Sequence, residues 1–347
     1  MHGGAATLEA RVAIARRLIT ECGFRTVFLE TGMYDFLDLH HKRAAGQPTT
    51  LDQVRSAVGL MMMGTARESE AWLSYLATAT SAGSIELFGV QDQIHSTASY
   101  ARGELSAALA RYLPTASRSR CQDELERHMN WRYDDANPFS TEVRARLVGC
   151  VTEVEAALAR ATTTGERDDA AMAASLHRLF DRAFAEDAAA VSNSNDRSLY
   201  LNLQAQLATH PSAKAIVFCA TVHGAKQLPG DGTVVVPFGA HLHHAYGDRM
   251  ATIAFSAYAG HYAMYRRPIS ELPPAAADSI EGLAFASASP GTALRYFDRA
   301  ELTALGSRTA RPLSYQPTDA VWASVVDGMV VQREERAPSF VPAPPAR

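Results

Sequence analysis

Three apolar runs in this sequence each give way to a residue that can hold charge or move a proton. Thr26-Val27-Phe28-Leu29 runs into Glu30, Ile85-Glu86-Leu87-Phe88-Gly89-Val90 into Gln91-Asp92-Gln93, and Ala213–Cys219 into Ala220-Thr221-Val222-His223. In open α/β sheets, ligands bind beyond the carboxyl ends of the strands. Glu30, Asp92 and His223 are therefore candidates for one cleft, with His95 just past Asp92 as a further lining residue. Strands also end where polar loops begin, and the same residues fit that plainer reading. His2, ahead of a helix that leads into the Glu30 strand, adds a group that titrates near neutrality. A carboxylate beside an imidazole fixes its tautomer and stabilises the imidazolium, which is the arrangement of an oriented general base.

Other chemistries find less support. Cys219 with His223 could make a nucleophile and its base, but a cysteine in a strand is usually buried and inert. The G-x-S-x-G elbow is absent, as are the P-loop and G-x-G-x-x-G patterns. His241-Leu242-His243-His244 would place His241 and His244 on one helical face, yet no nearby cysteine or carboxylate completes a metal set. That cluster reads better as a solvated helix face, and no metal or cofactor is expected. His40-His41 is unspecific, and Met61-Met62-Met63 reads as core filler.

The elements that must hold these residues follow from periodicity. Leu8, Val12, Ala15, Leu18/Ile19 and Cys22 recur at three- and four-residue steps, predicting a helix that Gly23 ends. Helix and strand joined by two or three residues form the αβ unit of a parallel sheet. Met33–Arg43 is ambiguous, and Leu51–Leu76 has helical spacing. From Ser99 to about Leu207 the spacing predicts three or four helices, with breaks at Tyr112–Arg120 and Thr162–Arg167. Beyond Ala213, strands are predicted at Thr233–Val236, Arg249–Ser256 and Ala293–Asp298, with a helix over Ala240–Tyr246. Ala320–Val331 reads as a hairpin around Asp327-Gly328. The predicted fold class is α/β, a mostly parallel sheet flanked by helices, with a helical insertion between two groups of strands. The boundaries are 1–98 for the first half of the core, 99–208 for the insertion and 209–335 for the second half. A disordered Pro/Ala-rich tail follows over 336–347.

Composition narrows the class. The chain has 347 residues, 47% hydrophobic and 20% charged, with a formal net charge of −4 and no basic stripe, so no nucleic-acid partner is expected. No apolar run approaches the roughly 18 residues of a membrane span, and no basic-then-apolar leader is evident. A cytoplasmic protein with reduced thiols is the expectation. Cys22, Cys121, Cys150 and Cys219 form no CxxC pair, and Cys22 and Cys219 read as buried free thiols.

Taken in order, these segments resemble the erythromycin esterase family, including its relatives around succinoglycan biosynthesis. The family pattern reads Gly-Glu-x-x-His-Gly, a helix, then a strand ending in Glu. His2-Gly3 falls on its His-Gly, Arg11 on an arginine of the helix, and Gly23-Phe24 with Val27–Glu30 on the strand. Phe88-Gly89-Val90-Gln91-Asp92 is similar to its Gly-x-Asp segment. Asp196-Arg197 through Asn202 is similar to an Arg-Asp-x-x-Met-x-x-Asn helix, with Asn195 where the first arginine stands. Ala220–Lys226 falls on a His-Asn-x-His-x-x-Lys segment, and Phe238 through Gly260 on a Gly-x-x-Leu…Gly…Gly pattern.

The resemblance implies hydrolysis of a small-molecule ester or macrolactone by histidine-activated water, without metal or covalent intermediate. On that model His2 is the general base, and Glu30 orients it or a partner group. His223 and Arg11 stabilise the developing oxyanion or position the carbonyl, and Asp92, His95 and Lys226 contact substrate. Two departures stand out. Ala220 and Thr221 occupy the positions of the family's histidine and asparagine, and the glutamate three residues before His2 is missing along with its strand. A start codon placed too far downstream is the expectation for the second. Divergent acyl or acid–base chemistry in a biosynthetic pathway, or a binding protein that has lost catalysis, are the alternatives.

Overall fold

A computed structural model describes residues 3–59, 62–184, 187–230, 235–289 and 291–340, the side chains of 62 and 63 excepted. Among these residues the chain divides into two compact units. One holds 23–59 and 73–218, the other 3–22, 62–72 and 219–340.

The first unit is built on a parallel sheet of β1 (Thr26–Gly32), β2 (Glu86–Gln91) and β3 (Ala215–Phe218), in the order β2-β1-β3. The uninterrupted apolar runs of β1 and β2 suit strands covered on both faces. Val27, Phe28, Leu87, Phe88 and Val90 are buried, and the Phe28 and Phe88 rings stack 5.2 Å apart. Met33–Arg43, ambiguous by periodicity, is helical from Tyr34 onward, in the helix Tyr34–Ala44. The helical spacing over Leu51–Leu76 is interrupted. One helix, Leu51–Val58, starts on a Thr50–Gln53 capping box and ends at Gly59, where φ is 79°. Helix resumes in this unit within Glu70–Ser81.

The predicted helical block contains six helices among the described residues: Ser99–Gly103, Leu105–Ala110, Thr115–Met129, Thr141–Leu158, Thr164–Arg182 and Ala188–Thr209. Capping explains several starts: Thr163 and Glu166 form a reciprocal box, and Ser140 and Asp187 cap the helices that follow them. Cys121 and Cys150 are joined as a disulfide between the third and fourth of these helices. The expectation of reduced thiols fails for this pair, because two packed helices bring together cysteines that are 29 residues apart in sequence.

The second unit carries a four-stranded mixed sheet. Its strands are β4 (Ile253–Tyr262), β5 (Ser270–Leu272), β6 (Leu294–Asp298) and β9 (Gly328–Glu335), and β4 runs parallel to β9. A separate antiparallel pair joins β7 (Ser307–Ala310) and β8 (Thr318–Val321). The fold is α/β, but among the described residues the strands form three sheets, not the one mostly parallel sheet predicted. The hairpin predicted over Ala320–Val331 is also absent. Trp322–Val325 forms a helical turn, and the strands on its two sides pair in different sheets. Full burial of Trp322 and Val326 in a cluster with Ile280, Leu302 and Met329 accounts for that break.

The helix Ala5–Cys22 forms as predicted and buries Leu8, Ala15 and Ile19. It packs on β9 and β4, so it belongs to the mixed-sheet unit, while β1, which follows it, belongs to the parallel sheet. Cys22, predicted buried, is exposed at its end. Part of the predicted Thr233–Val236 strand lies outside the described residues, and Val235 and Val236 are not in a strand. Of the Pro/Ala-rich segment, Ser339 pairs through its backbone with Arg67 and Glu68, and Phe340 bridges Ala66. Residues 341–347 lie outside the description. No helix among the described residues is long and apolar enough to cross a membrane.

Candidate functional site

Glu30, Asp92 and His95 lie in the parallel-sheet unit, whereas Arg11, His223 and Lys226 lie in the mixed-sheet unit. His2 lies outside the described residues. Glu30 is half-buried and sits inside β1, which continues through Thr31 to Gly32. Asp92 follows the last residue of β2 directly. These two ends are held close: the Met33 amide donates to the Gln91 carbonyl at 3.0 Å, and a Cβ on Gly89 would overlap the Gly32 carbonyl oxygen. Glycine at 89 is therefore required by the approach of two strands.

Asp92 is 1% exposed, and Arg182 donates to both of its oxygens, at 2.9 and 2.6 Å. The Tyr34 hydroxyl donates to the Asp92 backbone carbonyl at 2.9 Å. Burial, with the Asp92 charge next, pushes that hydroxyl above its ordinary value, so Tyr34 remains a donor. A shell of amides completes the edge: Asn202 donates to the Val90 carbonyl and Gln206 to the Gly89 carbonyl. His95 is bound at both ring nitrogens, Nε2 with the Ala57 carbonyl at 2.9 Å and Nδ1 with the Thr97 hydroxyl at 3.0 Å. Burial pushes its pKa down. Thr31, next to Glu30, donates to the Ala57 and Val58 carbonyls, so His95 and Thr31 both anchor on the end of the helix Leu51–Val58. Asp92 and His95 thus hold together the edge whose β1 strand carries Glu30.

In the mixed-sheet unit, Arg11 Nη2 donates to the Cys219 carbonyl at 3.1 Å, and its guanidinium lies 6.0 Å from the centre of the Phe255 ring. Cys219 opens the segment that turns at Ala220 into the short helix Thr221–Gly224, where His223 is half-buried. Arg11 is thereby fixed to the backbone that carries His223. Gly224 is packed tightly, since a Cβ there would lie 3.1 Å from Cys219 Sγ, and the Thr252 hydroxyl donates to its carbonyl. Lys226 Nζ pairs with Asp327 at 2.7 Å and donates to the Ala323 carbonyl at 3.3 Å. Burial raises the Asp327 pKa, but the bonds from Lys226 and the Thr252 amide outweigh it and leave the carboxyl below its usual range. Lys226 therefore ties the His223 segment to the turn before β9.

The sequence gives no sign of what fixes the residues next to His2. Glu335, at the end of β9 and 1% exposed, accepts from the amides of Ala6 and Thr7 at 2.8 and 3.2 Å and from the hydroxyls of Thr7 and Tyr315. A carboxylate at a helix N-terminus meets both the unpaired amides and the positive end of the helix dipole. Burial, then the Glu335 charge, pushes the Tyr315 hydroxyl up and keeps it a donor. The Gly3 carbonyl accepts from Ala263 at 2.9 Å. A Cβ on Gly4 would lie 2.2 Å from the Glu335 carboxylate and 2.5 Å from the Tyr315 hydroxyl. Gly4→Ala is expected to destabilise the protein by about 1–3 kcal/mol through overpacking. Gly149→Ala, in a helix with nothing within 4 Å of the added carbon, is expected to be neutral or stabilising by about 0.5–1 kcal/mol. Urea denaturation of the two variants checks this, and equal midpoints would refute the close approach at Gly4. The sequence signal for Glu335, a Gly-Gly pair immediately before a helix, shows that something comes close but not what.

His241, His243 and His244 lie on the helix Phe238–Tyr246. They are not part of any grouping with metal-binding spacing among the described residues, where His40, Glu86 and His210 form the one such group.

The erythromycin esterase family model matches residues 19–333, a span that includes Glu30, Asp92, His95, His223 and Lys226 and leaves out His2 and Arg11. No curated protein sequence matches the chain. Three solved structures share the fold. One is a Bacillus cereus protein, at a TM-score of 0.74 and 15% identity, over 99% of this chain and 88% of the other. Another is described as a succinoglycan biosynthesis protein, at 0.76 and 13%, over 97% and 86%. The third is a mutant of the erythromycin esterase EreC in its open conformation, at 0.66 and 14%, over 96% and 88%. With the family model matching most of its length, the chain belongs to the erythromycin esterase family.

Proposed function

We propose that the protein hydrolyses a small-molecule ester or lactone, using water activated by His2. Its membership of the erythromycin esterase family supports a hydrolase reading, and one observation carries the residue roles: Arg11 is anchored to the carbonyl of Cys219, on the segment that leads to His223. In the proposed reaction, His2 takes a proton from water as the water oxygen adds to the ester carbonyl carbon. The carbonyl electron pair moves to oxygen, and the resulting oxyanion is met by Arg11 and His223. Collapse of the tetrahedral intermediate expels the alkoxide, which takes the proton back from the His2 imidazolium. Glu30 orients the base or a partner group. Asp92, His95 and Lys226, first expected to contact substrate, act in this reading as supports that hold the edges carrying Glu30 and His223.

A panel of simple aryl esters, aliphatic lactones and macrolides tests the reading, with ring opening or acid release followed across pH 5–9. Turnover of at least one ester above the buffer rate supports it. Binding without turnover at every pH would favour a protein that has kept the fold and lost the reaction.

Acyl transfer is the second reading. Ala220 is buried where the family pattern has histidine, which replaces a proton carrier by a methyl group. One protein of the same fold is described as a succinoglycan biosynthesis protein. Adding an alcohol or amine acceptor to the same assay separates the two, since transfer yields a new ester or amide in place of free acid.

A further inference from the structure

A second cluster of titratable groups lies within the parallel-sheet unit, at the amino-terminal end of β2. It brings together His40 from the helix Tyr34–Ala44, Glu86 at the first position of β2, and His210 at the carboxyl end of the helix Ala188–Thr209. One ligand atom from each lies within 4.8 Å of the other two. We propose that His40, Glu86 and His210 form a binding site for one divalent cation of the zinc class.

The hydrogen bonds around the two imidazoles carry the argument. His40 Nε2 lies 3.0 Å from the Leu87 carbonyl oxygen. That oxygen can only accept, so Nε2 bears the proton and Nδ1 carries the lone pair. His210 Nε2 lies 3.0 and 3.2 Å from the two oxygens of buried Asp168. A carboxylate also only accepts, so in the neutral ring the lone pair is again on Nδ1, which faces Glu86 Oε2 at 3.8 Å. Each ring therefore has its outer nitrogen held by a carbonyl or carboxylate, the arrangement that orients metal-binding histidines. The rings are also held in place by packing: His40 stacks on Phe88 at 4.3 Å, and His210 lies 4.9 Å from His40. Two imidazole nitrogens and a carboxylate oxygen, with a water in the fourth position, suit zinc, cobalt or nickel better than magnesium or calcium. Bound ligand atoms would stand roughly 3.3 Å apart, given metal–ligand distances of about 2.0–2.2 Å. Glu86 sits at the rim and can close most of that difference by rotating its side chain.

Arg43 competes for the position. Its Nη2 lies 2.8 Å from Glu86 Oε1 and 3.4 Å from His40 Nδ1. The guanidinium meets two of the three acceptors, and the cation must displace it. The Arg43 side chain is 25% exposed, so it has a path to solvent. The site consequently exchanges a fixed side-chain charge for a bound ion, and Arg43 sets its affinity.

Cobalt and zinc titrated into the full chain after EDTA treatment test the proposal, with the visible cobalt bands and the thermal midpoint as readouts. The expected result is one ion bound per chain, with four-coordinate cobalt absorption displaced by zinc. Glu86→Gln should weaken binding by about tenfold or more, and Arg43→Gln should tighten it by about tenfold by removing a like charge. Circular dichroism confirms that both variants are folded. Binding that is absent, or that neither substitution changes, overturns the proposal, and the second outcome would place the ion elsewhere, such as on His241–His244. None of these readouts depends on ester hydrolysis.

Discussion

His2→Ala is expected to lower kcat/KM for the best ester of the panel by about 10²–10⁴-fold, the contribution of a positioned general base, with little change in the urea midpoint. The reason for expecting such a separation lies in the residues that follow it in the chain. Gly3 is bonded to Ala263, Gly4 lies against Glu335, and the helix start is capped by the Glu335 carboxylate. Gly3 and the helix start are thus held by Ala263 and Glu335, and the substitution leaves those contacts in place. Arg11→Ala provides the comparison. If it serves the oxyanion, kcat should fall by about 10²–10³-fold, and a lysine at the same position should restore part of the loss. Wild-type rates in the His2→Ala protein would remove His2 from the mechanism and with it the proposed reaction.

The largest expected effect on stability is at Arg182. Its guanidinium, 8% exposed, donates to both oxygens of an Asp92 side chain that is 1% exposed. Removing one partner of such a pair leaves an uncompensated buried charge, and Arg182→Ala is expected to cost about 3–5 kcal/mol. The pair itself is a different matter, because desolvation offsets much of its attraction. The double variant Asp92→Asn/Arg182→Leu should therefore recover most of the loss. Urea denaturation of both proteins decides it: a single variant that loses less than about 1 kcal/mol would put the pair in the class of solvated surface bridges. Because Asp92 closes the carboxyl end of β2 beside β1, the single variant should also impair any activity that relies on Glu30.

Residue pattern alone determined the local elements and the order of the candidate groups. The apolar runs at Val27–Leu29, Leu87–Val90 and Ile216–Phe218 read as strands, and they do pair as a parallel sheet, the first two buried and the third half-buried over Ile216 and Val217. The three- and four-residue steps of Leu8, Val12, Ala15 and Ile19 predict a helix with one apolar face, and Leu8, Ala15 and Ile19 are buried on it. The ordered set of motifs was enough to identify the family, because a family pattern is itself a sequence property.

Tertiary structure alone decided partners. Period and composition report which face of an element must be buried, not which other element buries it, and only the fold shows that the helix after Gly4 packs on β9. The same limit applies to charge. Nothing in the sequence shows that Asp92, Lys226 and His95 are engaged by Arg182, Asp327 and the Ala57 carbonyl, and only the fold reveals it. Glu335 could not be found from its neighbours in the chain, since its partners Ala6 and Thr7 lie more than 300 residues away. Pairs of that separation are set by packing, which no local pattern of residues records.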